Sequence, residues 1–555
     1  MEKESRLQRK YQKSIFIFRR DLRLKDNTAL INALYSSNSV YCFFILDSNI
    51  LLSNSLYSSF SLPIDPILLL KHKQRRIHLL RFLKESLLDL QKQFDQLDIE
   101  KEEKEEKPKQ ETGKDNSNTS SKLIFLLGDP ASTIKKIIQA DKKIEAVFVN
   151  RDYTPYSIKR DKSIKEICRS FNIDFIKCPD ILINEPGEIL NSNNEPFKVF
   201  SYYYNKAIEI PLRKESSFDI KKYKKKIINF DNNNNSKKLK NLNSIERIDN
   251  LEKFFSQQII NEQQFPAINN TATSFSTLRR LLLIGTRRKY QKLISELKYK
   301  FNNDNKQKEN FNLLDNSASR LSPYLKFGIC SIREVYSAIQ KELGFNHRLL
   351  RQLYWRDFYV YIGFHFPFVF TSPFQERYRR NKKNVIQWKN DPKEFELWCN
   401  GKTGFPIVDA GMRELNETGH MHNRTRLITA SFLVKDLHID WRYGERYFAL
   451  KLVDYDPTIN NGNWQWVAST GCDAQPFFRI FNPWLQQKKF DPNCDYIKKW
   501  IPELKETPVN LIHEWYNNIN STIDKSTKLS PIGDYPKPIV EHQKEILITK
   551  ELYNI

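Results

Sequence analysis

Four short β-rich apolar runs, Ser14–Phe18, Ser39–Leu46, Leu123–Leu127 and Ala146–Val149, are separated by helix-like stretches at Asn27–Ala33, Ile77–Leu90 and Ile134–Ile138. This alternation constrains the fold more than any other feature of the chain. Continuous apolar runs suit strands that are buried on both faces. Strands joined through helices are connected by crossovers and therefore run parallel in one sheet. An α/β domain over residues 13–180 follows. It is interrupted at 99–121 by the low-complexity tract containing KEEKEEKPKQETGKDNSN, which reads as a solvated loop. Residues 181–250 read as a connector with a Lys/Asn-rich tract at 221–243. From residue 251 the strand signal fades. Helix-periodic segments such as Ile332–Leu343, Leu349–Ile362 and Arg424–Leu437 predict an all-helical domain over 251–545.

Lys and Arg number 90 against 66 Asp and Glu, a net charge of +24. A polyanion partner is one reading and simple solubility another; charge alone leaves both open. KKYKKK (221–226) reads as part of a Lys-rich chain before it reads as a nuclear signal. The 40% apolar content excludes wholesale disorder. Runs such as Val40–Leu46 are far shorter than the roughly 18 residues of a membrane span, so no membrane partner is expected. Met1–Lys13 lacks the apolar core of a signal peptide. Seven scattered Cys, with no CxxC and no His/Cys cluster, imply a reduced intracellular setting (the nucleus in a eukaryote, otherwise the cytoplasm) and no metal site.

All nine Trp lie between residues 355 and 515. A large aromatic core accounts for most of them, including Trp398, Trp500 and Trp515. Trp464-Gln-Trp466 is different, because helical residues two apart face nearly opposite ways. These two rings close the stretch DYDPTINNGNWQW, which is crowded with carboxylates and amides. Burying so many polar groups is costly unless something accepts their hydrogen bonds. A planar, polar-edged cofactor between aromatic walls would do so, and a plain surface turn would avoid the cost equally well.

GKTGFPIVDAGMRELNETGHMHNRTRLITASFLVKDLHIDWRYGERYF (Gly401–Phe448) resembles the flavin domain of the photolyase/cryptochrome family. NNGNWQWVASTGCDAQPFFRIFNPWLQQKKFD (Asn460–Asp491) and SRLSPYLKFG (Ser319–Gly328) extend the likeness. FRRDLRLKDNTAL (Phe18–Leu30), GDP (Gly128–Pro130) and NRDYTPYSIKRD (Asn150–Asp161) carry it to the amino end. The resemblance implies a Rossmann-like α/β domain with a parallel five-stranded sheet and a large all-α domain that binds FAD. It is nearest to the microbial-type (class I) enzymes that repair cyclobutane pyrimidine dimers. The (6-4) enzymes carry a His pair in the stretch aligned with Met421–Leu427, where this chain has Asn423 and Leu427. Signalling members usually add a long carboxyl extension, whereas here the chain ends soon after YPKPIVEH. The expected activity is light-driven repair of dimers in DNA by a monomer. The alternatives are a blue-light receptor that binds FAD and signals without repair, and a repair-dead nucleic-acid-binding flavoprotein.

Carried over by position, the resemblance assigns the FAD phosphates to Ser319, Arg320, Leu321 and Ser322, an ion pair to Arg426 and Asp454, and the flavin ring edge to the main chain of Asp454, Tyr455 and Asp456. Asn460 is expected to face flavin N5. Two departures stand out: Ala318 replaces the usual Thr, and Tyr299 is a loose match because Asn302–Asn316 is longer and more polar than the family pattern. Trp464, Trp441 and Trp388 match the chain of rings that carries electrons from the surface to oxidised flavin. Trp355 and Trp466 match the rings flanking a flipped-out dimer. Asn423 and Arg424 match the lesion pocket, and Arg356, Arg479 and Gln486 match DNA-facing positions. Gln352 stands where the dimer enzymes usually have Glu. For the light-harvesting chromophore of the first domain, Tyr156 and Ser157 do not fit the folate-binding residues. Folate, deazaflavin, flavin or nothing therefore remain open.

Overall fold

The strands of the first domain form because every second side chain finds apolar partners on each side of the sheet. Phe16, Phe18, Cys42 and Phe44 enter one core, while Ile15, Ile17, Tyr41 and Phe43 enter another on the opposite face. Both faces are buried, which is why the runs show no polar alternation. The structure is a computed structural model that describes residues 10–48, 77–99, 123–230, 245–263, 283–302, 318–379, 385–473, 478–516 and 535–555. Most of the tract at 99–121 and residues 231–243 of the connector lie outside the described residues.

In chain order the first domain comprises β1 (Tyr11–Phe18), α1 (Thr28–Ser36), β2 (Ser37–Leu46), α2 (Ile77–Ile99), β3 (Leu123–Leu127), α3 (Pro130–Ala140), β4 (Ile144–Asn150), α4 (Pro155–Ser170) and β5 (Asp174–Cys178). The crossover helices begin at side-chain caps: Asn27 accepts from the Leu30 N–H, Asp129 from Ser132 and Thr154 from Ser157. The five strands pair in parallel in the order β5-β4-β1-β2-β3. A sixth strand, β6 (Glu246–Arg247), joins the outer edge antiparallel to β3, beyond the four runs read from the residues and the five strands the resemblance implies. Two residues are too short to leave a periodic pattern. Between β5 and β6 runs α5 (Phe200–Glu209) and a 3₁₀ turn, Ile220–Lys226. This turn holds the KKYKKK run, in which Lys224 and Lys226 donate to the carbonyls of Leu97 and Leu34.

Helices follow throughout: α6 (Leu251–Gln263), α7 (Arg287–Ser295), α8 (Leu297–Asn302), α9 (Ser322–Phe327), α10 (Ile332–Leu343), α11 (Arg348–His365), α12 (Pro392–Cys399), α13 (Pro406–Thr418) and α14 (Asn423–Lys435). The remainder are α15 (Trp441–Lys451), α16 (Pro457–Val467), α17 (Pro483–Phe490), α18 (Asp495–Trp500), α19 (Val509–His513) and α20 (His542–Leu552). α13, α14, α15 and α16 share a core with Trp398, Trp441, Trp464 and Trp500.

The strand order reverses between β1 and β4, and such a switch point opens a crevice at the carboxyl ends of the strands. FRRDLR leaves β1 there and NRD leaves β4. The helical domain fills this crevice. The Leu22 N–H donates to the Phe327 carbonyl (3.1 Å), and Arg20 pairs with Asp456 (2.5 Å) and Asp152 (3.4 Å). Gly328 has φ +66°, and a Cβ on it would lie 2.5 Å from Asp21 Cα and strike the Arg20 carbonyl, so glycine is required for this approach. Arg23 and Arg333, both buried, converge on Asp180 at 2.7 and 2.8 Å. Burial opposes the Asp180 charge, but the two guanidinium groups outweigh it and hold the carboxyl down at about 2.

Candidate functional site

Ser322 Oγ, Asp454 and Arg426 form one connected set. The Ser322 hydroxyl donates to Asp454 Oδ2 (2.6 Å), and Arg426 Nη2 reaches the same carboxylate at 3.0 and 3.3 Å. Arg426 Nε also donates to the Met421 carbonyl (2.8 Å), which fixes the direction of the guanidinium. Burial works against the Asp454 charge, yet Arg426, His420 and the Ser322 hydroxyl hold its pKa below the usual carboxylate range. Before Ser322, Arg320 has a left-handed backbone (φ +53°), so the turn Ser319–Leu321 reverses sharply into α9. Leu321 is buried, whereas Ala318, Ser319 and Arg320 are half-buried. Tyr299 stands apart, with its ring 81% exposed on α8.

The amides of α16 are satisfied largely from within. Asp456 caps the helix through the Thr458 and Ile459 N–H groups and the Thr458 hydroxyl, and it also pairs with Arg20. Its side chain is therefore committed to structure, which leaves only its main chain for a ligand. Tyr455, just before it, packs half-buried against the Trp-rich core. Asn461 and Gln465 both donate to the Val369 carbonyl (3.1 and 2.8 Å). Asn460 Nδ2 donates to the Glu445 carbonyl (2.9 Å), which turns Oδ1 the other way. The polar crowding of DYDPTINNGNWQW is thus resolved by a capped, buried helix and not by a surface turn. Sequence reasoning missed Glu445, whose carboxylate sits beside Asn461. Burial pushes its pKa up to about 7 against the opposing Asn461 hydrogen bond.

Trp464 and Trp466 face opposite ways, as their spacing requires. Trp464 is 2% exposed and packs edge-on against Phe448 (5.0 Å) and Trp398 (6.3 Å). Trp466 is half-buried at the rim of the same core. Trp441 is buried at the start of α15, behind the Asp440 cap. Trp388 is half-buried and touches both this core and a small outer cluster, where Tyr553 meets it edge-on at 6.2 Å. Trp464 and Trp441 are thus equally buried, and Trp388 is the one of the three that reaches the surface.

Gln352, Trp355 and Arg356 occupy one face of α11, with Gln352 exposed and the other two half-buried. Arg356 turns inward, donating to the Ile181 carbonyl and to Asp357 (both 2.8 Å). Asn423 is the exposed first residue of α14, next to its cap His422. Burial drives His422 down to about 4, which keeps the ring neutral and able to accept from the Arg424 N–H (3.1 Å). Arg424 lies over the Phe490 ring (4.4 Å), and burial together with nearby Arg479 lowers its pKa. Two guanidinium groups share this face, with Arg479 exposed and Gln486 half-buried on α17. In the first domain, the Tyr156 hydroxyl donates to Asp47, and the Ser157 N–H donates to its cap Thr154. Both positions aligned with the folate site are engaged locally. No helix among the described residues is long and apolar enough to cross a membrane, and no cluster that could hold a metal is found among them.

Residues 349–554 match the model described as the FAD binding domain of DNA photolyase, and residues 14–100 and 110–217 match DNA photolyase. A deoxyribodipyrimidine photo-lyase of Alkalihalophilus pseudofirmus is 36% identical over 76% of this chain and 81% of its own length. The chain belongs to the photolyase/cryptochrome family. A photo-lyase of the same name from Vibrio cholerae is 35% identical over 73% of this chain and 78% of its own. Among solved structures, an archaeal photolyase from Sulfolobus tokodaii, described with two FAD molecules, is 32% identical. It has a TM-score of 0.67 and covers 98% of this chain and 100% of its own.

Proposed function

We propose that the protein is a light-driven lyase that splits cyclobutane pyrimidine dimers in DNA, nearest to the class I enzymes, using FAD held in the helical domain. The observation that carries this reading is the placement of two faces on one helix: buried Trp464 inward, half-buried Trp466 outward, with Asn460 one turn before Trp464. The relatives' shared name and the absence of a His pair at Asn423 and Leu427 favour dimer repair over the (6-4) reaction and over a signalling receptor.

The residues present fit FAD. Ser319 offers a hydroxyl donor and Ser322 its main-chain N–H at the sharp turn into α9, the Ser322 hydroxyl being given to Asp454. Arg426 balances the charge of Asp454, and Asn460 has its Oδ1 turned away from the Glu445 carbonyl. When bound, FAD supplies the photo-excited electron donor that a dimer, inert to acid–base attack, requires. The chain positions and protects. Asp454 stays ionised through Arg426, and Asn460 presents a neutral amide that tolerates protonation changes nearby. A stacked dimer cannot reach a buried cofactor, so the lesion must leave the helix. Trp355 and Trp466 would receive it by stacking, worth about 1–3 kcal/mol per base, with Asn423, Arg424 and Gln352 at the pyrimidine edges. Arg479 and Gln486 would meet the phosphodiester chain without reading sequence, whereas Arg356, expected to do the same, is held inward by the Ile181 carbonyl and Asp357. Trp388, Trp441 and Trp464 would return electrons to the cofactor site from the surface.

The test is direct. Purified holoprotein is mixed with an oligonucleotide bearing one dimer, and repair is compared in blue light and in the dark. Repair that requires light supports the reading, and its absence with FAD bound favours the receptor. Replacing Trp466 by Ala should weaken dimer binding by about 1–3 kcal/mol and undamaged duplex far less. Equal loss on both DNAs would mean that the ring only packs.

A further inference from the structure

Trp355 does not stand free on α11. The ring of Phe200, the first residue of α5, lies parallel to it with centroids 3.7 Å apart and planes within 10°. Phe358 meets Trp355 nearly perpendicular at 5.7 Å, and Tyr359 is tilted at the same distance. One face of Trp355 is therefore taken by protein, and its plane is set by an aromatic ring from the connector, 155 positions away in the chain. Phe200 itself is 1% exposed.

Phe200 is tied to the far side of the site by a reciprocal pair of hydrogen bonds. Its cap residue Val199 has no side chain able to accept, so the first turn of α5 lacks a local cap. Asp473 does this from a distance: Oδ1 accepts the Phe200 N–H (3.2 Å), and the Asp473 N–H donates to the Lys198 carbonyl (3.2 Å). Asp473 holds a left-handed backbone (φ +53°) to make both contacts. The turn it closes begins at the second ring. Ser469 N–H donates to the Trp466 carbonyl, and those of Thr470 and Gly471 donate to Gln465. The exposed Arg351, one turn before Trp355, lies over the outer rings of Phe200 and Tyr204 at 5.4 and 5.2 Å.

From this geometry we infer that Phe200 and Asp473 form a brace that fixes the two lesion-facing rings relative to each other: Phe200 sets the plane of Trp355, and Asp473 ties Phe200 to the turn that follows Trp466. Both are positioning residues. Neither touches the dimer in this scheme. The inference rests on Trp355 and Trp466 being the lesion platform. A platform of two rings discriminates a dimer only if their separation is held before binding, because ordering them afterwards subtracts from affinity.

The experiment compares Phe200→Leu, Phe200→Tyr, Asp473→Ala and Trp355→Ala with the wild-type holoprotein. Dissociation constants are measured for dimer-containing and undamaged duplex, alongside FAD content and thermal midpoint. Phe200→Leu should weaken dimer binding by about 2- to 12-fold, the fold-change equivalent to one aromatic pair, with undamaged duplex and FAD content unchanged. Phe200→Tyr keeps the ring and should restore wild-type affinity. Asp473→Ala should weaken dimer binding without altering FAD content. If Trp355→Ala weakens dimer binding and Phe200→Leu does not, the brace is refuted while the platform stands. If Trp355→Ala has no effect, the platform reading falls first. Equal loss on both DNAs in Phe200→Leu, with a lowered thermal midpoint, would show that Phe200 is packing alone.

Discussion

Substituting Ala at Gly444 tests how tightly Trp464 is held. Gly444 lies on α15, against α16, and a Cβ there would sit 2.5 Å from Trp464 Cζ3 and 2.6 Å from Leu433 Cδ2, with Cη2 closer still. The ring must retreat by roughly 1.5 Å to reach ordinary contact. It has little room, being 2% exposed and flanked by Phe448 and Trp398. Overpacking of this kind costs about 1–3 kcal/mol, and the upper end applies because the neighbours are rigid rings. Ala gains about 1 kcal/mol over Gly in helix propensity, so the net loss should be about 1–2 kcal/mol. Gly187 provides the comparison, because a Cβ there meets nothing within 4 Å, and Gly187→Ala should leave stability unchanged within about 0.5 kcal/mol. Urea denaturation of both variants gives the stability difference. Photoreduction of bound oxidised FAD, followed by absorbance, should slow in Gly444→Ala alone, because the displaced ring lies on the proposed electron route. Equal denaturation midpoints for the two variants would refute the reasoning and mean that α15 and α16 part easily.

Trp388→Phe should slow photoreduction of oxidised FAD and leave repair by pre-reduced protein nearly intact; equal loss of both would remove Trp388 from the supply route. Gln352→Glu should raise repair per absorbed photon, since hydrogen bonds to a charged group contribute about 1.5–3 kcal/mol against 0.5–1.5 for neutral ones. A lower yield in the Glu variant would show that the amide suits its own role. Asp180 has a folded pKa of about 2, below its unfolded value, so its contribution is present above the unfolded pKa and is lost as pH falls through 2. That contribution is about 2 kcal/mol. Acid denaturation of Asp180→Asn should therefore be flatter between about pH 4 and 2, and parallel curves for both proteins would contradict the assignment. At neutral pH the same variant leaves Arg23 buried without its paired carboxylate, while Arg333 keeps Asp26 at 2.8 Å, and should lose about 3 kcal/mol in urea titration, the low end for breaking a buried pair.

Whatever depends on neighbours in the chain was legible in the sequence. Apolar runs buried on both faces marked β1 to β4, and helix-like stretches at Asn27–Ala33, Ile77–Leu90 and Ile134–Ile138 marked α1, α2 and α3, because periodicity is local; α4 and its Thr154 cap were not read. The two-residue spacing of Trp464 and Trp466 fixed their opposite directions for the same reason. β6 could not be read, since two residues at a sheet edge carry no period. Nor could the partners of the polar groups. Whether DYDPTINNGN belonged to a turn or a helix depended on the carbonyls of Val369 and Glu445, which only folding brings near. The sequence marked FRRDLR and NRD as motifs, but not that they bind the second domain instead of leaving the sheet crevice open. That required Phe327, Arg333 and Asp456, some three hundred to over four hundred positions further along the chain, to reach Leu22, Asp26 and Arg20 beyond the end of β1. Burial makes such contacts decisive. A charge such as Asp180 is tolerable inside only where two guanidinium groups meet it, and the ring of Trp355 has a fixed plane only where Phe200 covers it. These conditions are set by three-dimensional proximity, which sequence spacing does not encode.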